Sequence, residues 1–143
     1  MTEKEICDYM KKVSGFMVVS VVIWCILIVY QLIAGIITIF WGYGVGTLLI
    51  MVYNIITVIR YIMNIRVIRS CSNRDEAAVC VRYFENQIPV CWLFMFLNLI
   101  FGGVLGFIGC LYDLILAYRV KKKKYEILCG NEVPNGGEFR ELN

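Results

Sequence analysis

Residues Ile100 to Lys124, IFGGVLGFIGCLYDLILAYRVKKKK, decide how this chain folds. The stretch holds four glycines, one carboxylate and a closing run of cations. Wound as a helix, Gly102, Gly106, Gly109, Asp113 and Ala117 fall at steps of four, three, four and four, so they share one narrow face. The carboxylate therefore sits on a packing seam. Either Gly102 and Gly103 turn the chain back on itself, or one long helix runs straight through them.

The surroundings of this stretch are apolar. Hydrophobic residues make up 60% of the 143, against roughly 45–50% in an ordinary soluble domain, and the mean hydropathy is +0.73. No charged residue lies between Val13 and Ile59, and none between Asn86 and Tyr112. Each gap exceeds the roughly 20 residues that cross a bilayer core of about 30 Å. The composition predicts an all-α integral membrane protein with a single helical transmembrane domain over residues 1–124. The apolar run after the charged N-terminus is longer than the 7 to 15 or so residues of a signal-peptide core, so it is expected to remain in the mature protein.

The uncharged run from Val13 to Ile59 would make a helix of about 70 Å, which is two crossings. The turn belongs at Trp41 to Gly46, where Gly42, Gly44 and Gly46 free the backbone and Phe40, Trp41 and Tyr43 suit the headgroup level. Helices are predicted over residues 14–40 and 46–67, with a short surface-lying helix over residues 1–12. In the next segment, residues 73–88, Ala77, Cys80, Val81, Phe84 and Ile88 recur at helical spacing. This predicts an amphipathic connector lying in the interface, capped by Ser72 or Asn73 with Asp75 or Glu76 three residues on.

Positive charge decides the reading of residues 88–120. Arg60, Arg66, Arg69, Arg74 and Arg82 precede this segment, and Arg119 with Lys121, Lys122, Lys123 and Lys124 closes it. A turn at Gly102 and Gly103 keeps both basic groups on the cytoplasmic side, as such residues prefer. The predicted fold is thus a four-helix transmembrane bundle of two hairpins, the second over residues 88–101 and 104–120, with both termini cytoplasmic. Its alternative has three spans and a long last helix. Residues 125–143 are predicted to be a flexible cytoplasmic tail.

Asp113 is the sharpest functional candidate, because acids within a membrane segment are costly. Arg60 precedes Arg66 by six residues, as Asp113 precedes Arg119, so the two share a depth and are expected to form an intramembrane ion pair. Gly102, Gly106 and Gly109 are read as a helix-packing face, within the chain or against a second copy or another membrane protein. The amides Gln31, Asn54 and Asn98 and the hydroxyls Ser20, Thr38, Thr47 and Thr57 are expected to hydrogen-bond between helices. Arg119 and Lys121 to Lys124 are expected to anchor the topology against the bilayer's anionic headgroups.

Other chemistry finds little support. The chain has no histidine, no phosphate-binding glycine loop and seven scattered cysteines, so no catalytic, cofactor or metal site is expected. A net charge of +3 argues against nucleic-acid binding. Four short spans in a small chain resemble small multidrug transporters in outline, but the first span lacks an acidic residue. The sequence points to a membrane protein of accessory, regulatory or assembly type without catalytic activity. The alternative is an oligomeric pore or a small proton- or ion-coupled transporter using Asp113.

Overall fold

The computed structural model describes residues 1–42 and 44–128, the side chains of 101–103 excepted, and these residues are helical throughout apart from short turns. Helix α1 covers Glu3–Thr38, α2 Gly44–Arg69, α3 Arg74–Leu97, α4 Gly103–Lys122 and α5 Lys124–Leu128. The segments over Glu3–Trp41 and Gly44–Arg69 are long and apolar enough to cross a membrane, by length and composition.

The expected surface helix and first long helix are one element. Thr2 caps α1 reciprocally with Glu5, which accepts from the Thr2 backbone at 2.8 Å, so the helix starts at Glu3. It then continues because Ile6, Met10, Val13, Met17, Ser20, Trp24, Leu27, Gln31 and Gly35 form one buried stripe along its whole length. The first reversal falls where the glycines predicted it. A 3-10 turn over Ile39–Trp41 ends at Gly42, whose φ of 79° is the left-handed conformation that suits glycine, and its N–H bonds Ile39 O at 3.2 Å. The helices then approach closely, since a Cβ on Gly35 would lie 2.7 Å from Leu48 Cδ2. Tyr43 lies outside the described residues.

The second hairpin differs from expectation in two ways. First, the connector and the third helix are a single element, α3, capped by Asn73, which accepts from Glu76 N at 2.9 Å. Pro89 lies inside it, removing only one turn-to-turn bond. Secondly, the apolar face of residues 77–88 does not lie open to an interface. Ala77, Cys80, Val81 and Phe84 are buried among Ile6, Met10, Ile68, Val120 and Ile127. Hydrophobic burial against protein explains both changes, because α3 can extend wherever α1 and α5 cover its face.

A π-helical turn over Asn98–Gly102 then reverses the chain, ending on the first glycine of the predicted pair. Asn98 Nδ2 reaches Cys110 Sγ at 3.6 Å, where a straight helix would hold residues so spaced about 18 Å apart. One long helix is therefore excluded. The expected tail also needs correction at its start, since α5 is ordered by Ile127, which is fully buried. Residues 129–143 of that expected tail lie outside the described residues.

The two hairpins have unequal reach. The turn of the second, at Asn98, meets Gln31 and Asn54 rather than the turn of the first. The first hairpin runs about 15 Å beyond that level, from Gln31 to Trp41, and the second only about 6 Å, from Asn98 to Gly102, so the first extends alone for about 9 Å.

Candidate functional site: two buried polar layers

Two layers of polar side chains cross the interior. The lower is centred on Asp113, which is 4% exposed. One carboxylate oxygen accepts a short hydrogen bond from the Ser20 hydroxyl, and the other accepts from Trp24 Nε1 at 2.7 Å. Ser20 and Trp24 lie one turn apart on the buried stripe of α1, so both donors aim at the same point on α4. Beside the carboxylate is a cavity of about 20 Å³, lined in part by Trp24, Thr57, Tyr61, Gln87 and Cys91, with room for about one water-sized molecule.

Arg60 is not a partner of Asp113. Among the described residues the ion pairs are Lys11–Asp8, Lys123–Glu126 and Lys124–Glu85. Arg60 is exposed and lines a small cleft with Tyr53, Thr57, Tyr83 and Gln87, on the side of α2 that faces α3. Equal depth along two helices does not give equal direction around them. The carboxylate is stabilised instead by neutral donors of α1: Ser20 bonds between helices as expected of it, whereas Trp24 was missed in the sequence. The signal was the shared stripe of Ser20, Trp24 and Gln31, at steps of four and seven.

The upper layer joins three amides, each fully buried. Gln31 Nε2 donates to Asn98 Oδ1 at 3.2 Å, and Asn54 Nδ2 donates to Gln31 Oε1 at 2.8 Å and to Asn98 Oδ1 at 3.4 Å. Asn98 Nδ2 also returns to Phe94 O at 3.0 Å, which holds the amide at the start of the turn. These are the interhelical bonds expected of the three amides. Below them, Tyr53 stacks on Phe94 with ring centroids 3.4 Å apart, fastening α2 to α3.

The glycines of the predicted packing face have different surroundings. Gly106 packs on Asn98 within the same hairpin, and Gly109 faces Ile23 and Trp24 of α1 at ordinary contact distance. Gly102 forms the last residue of the turn. The basic cluster also divides. Arg119, Lys122 and Lys123 line one groove against α1, Lys124 pairs with Glu85 at 3.0 Å, and Lys121 is exposed.

Chemically, these layers can hold helices in register and can hold one carboxylate away from bulk water. No group of three or more metal-ligating side chains occurs among the described residues. The chain matches no protein-family model, no curated protein and no solved structure.

Proposed function

We propose that the chain is a small multi-pass membrane protein of accessory, regulatory or assembly type, without catalytic activity. In this reading α1 and α2 cross the bilayer, and α3 and α4 enter from the same side as both termini, which is cytoplasmic. The belt of exposed apolar residues supports the placement. Ile26, Ile37, Leu49 and Phe40 are 63%, 66%, 67% and 94% exposed, far more apolar surface than water tolerates.

The observation that carries the functional reading is the engagement of Asp113. Both of its oxygens accept hydrogen bonds from α1, beside a cavity of only about 20 Å³, so the acid acts as a fastening between α1 and α4. That small cavity is also what favours the second reading, an oligomeric pore or proton-coupled transporter, since a buried carboxylate beside room for water is a minimal proton site. Protein reconstituted in liposomes is expected to carry no more proton or potassium flux than protein-free liposomes. Flux that disappears in Asp113→Asn would overturn the accessory reading in favour of transport.

A further inference from the structure

A groove of about 420 Å³ runs between α1 and α4 near their charged ends. Its walls are Val13, Phe16 and Leu116, and its rim carries Tyr9, Arg119, Lys122, Lys123 and Glu126. We propose that this groove binds one anionic phospholipid, its phosphate held by Arg119, Lys122 and Lys123 and an acyl chain lying along Val13, Phe16 and Leu116. The proposal rests on the membrane placement given above.

The chemistry of the groove changes along its length as a phospholipid does. Lys12 is the last charge of α1 before its long apolar run, and Arg119 follows an uncharged turn of α4, so the apolar walls meet the basic rim at one depth. Three cations face a single carboxylate there, and that carboxylate is already engaged, with Lys123 Nζ 3.3 Å from Glu126. The excess charge is therefore positive. A volume of this size falls within the roughly 300–1,000 Å³ of small-molecule sites.

The rim is also built rather than loose. The Tyr9 hydroxyl donates to Arg119 O at 3.4 Å, and Lys123 Nζ stands 5.4 Å above the Tyr9 ring. A peptide or a nucleotide would match the cations but not walls that continue into the exposed apolar belt through Phe16, which is 45% exposed. A lipid matches both.

Native mass spectrometry of the delipidated full chain in detergent tests this, with dioleoyl phosphatidylserine and dioleoyl phosphatidylcholine as probes. One phosphatidylserine is expected to be retained per chain, at least about tenfold more tightly than phosphatidylcholine. Arg119→Gln/Lys122→Gln/Lys123→Gln should abolish the preference. The control triple Arg66→Gln/Arg69→Gln/Lys121→Gln removes equal charge outside the groove and should keep it. Equal loss in both triples, no preference in the native chain, or displacement by millimolar glycerophosphoserine or inorganic phosphate would overturn the site. Liposome flotation separates the two claims. Protein that floats after carbonate washing but shows no preference sinks the lipid site alone, whereas protein that fails to float sinks the membrane placement itself.

Discussion

Gly106 lies so close to Asn98 that a methyl group added to it would stand 2.7 Å from the amide oxygen and 2.8 Å from the Asn98 Cβ. The same amide accepts from Gln31 and Asn54, so this one contact sets the spacing of the second hairpin and the height of the upper polar layer. Gly106→Ala is expected to destabilise the bundle by about 1–3 kcal/mol through overpacking. Gly109→Ala should be close to neutral, because its nearest neighbours would be 3.6–3.7 Å away. Thermal melts followed by circular dichroism in detergent separate the two, and equal melting temperatures would refute the assignment.

Asp113 is hydrogen-bonded to Trp24 and makes no ion pair with Arg60. A double-mutant cycle of Trp24→Phe with Asp113→Asn should return an interaction of about 0.6–1.7 kcal/mol, in the range of hydrogen bonds between membrane helices. The cycle of Arg60→Ala with Asp113→Asn should return about zero, because the side chains do not meet. A sizeable coupling in the second cycle would restore the ion pair.

Under the proposed membrane placement, unequal hairpin reach leads to a topological expectation. In a background with the native cysteines replaced by alanine, Trp41→Cys should react with a membrane-impermeant maleimide added outside intact cells. Ile100→Cys should not, although Ile100 is 71% exposed on the protein surface, because its turn stops about 9 Å lower. Equal labelling at both positions would mean that the second hairpin also reaches the far surface.

Ile127 closes the charged end of the molecule. Ile127→Ala is expected to cost about 2–4 kcal/mol, the usual penalty for emptying a buried aliphatic site. Lys124→Gln, which loses only a partly exposed ion pair with Glu85, should cost under about 1 kcal/mol. Urea titration of both variants in the same detergent checks the order.

The elements legible from sequence were those written in local chemistry. The length of the uncharged run forced a reversal near Gly42, and the doubled glycine at 102 and 103 placed the second turn within a few residues. Asn73 with Glu76 signalled the start of α3. What escaped the reading depends on which helix faces meet. The stripe of Ala77, Cys80, Val81 and Phe84 looks the same whether lipid or protein covers it, and its cover comes from Ile6, Met10 and Ile127, far away in the chain. Asp113 presented the same difficulty, because depth follows from counting residues whereas azimuth follows from packing.

Because the first hairpin outruns the second, the molecule is four helices thick toward its charged end and two helices thick near Trp41. With each helix about 10 Å across, the two ends differ in footprint by the area of two helices. Embedded as proposed, the chain is a wedge that displaces more lipid from the leaflet beside Arg119 than from the opposite one. Its lowest strain then lies where that leaflet is stretched on the convex side, and enrichment in small over large vesicles of that orientation would measure the preference.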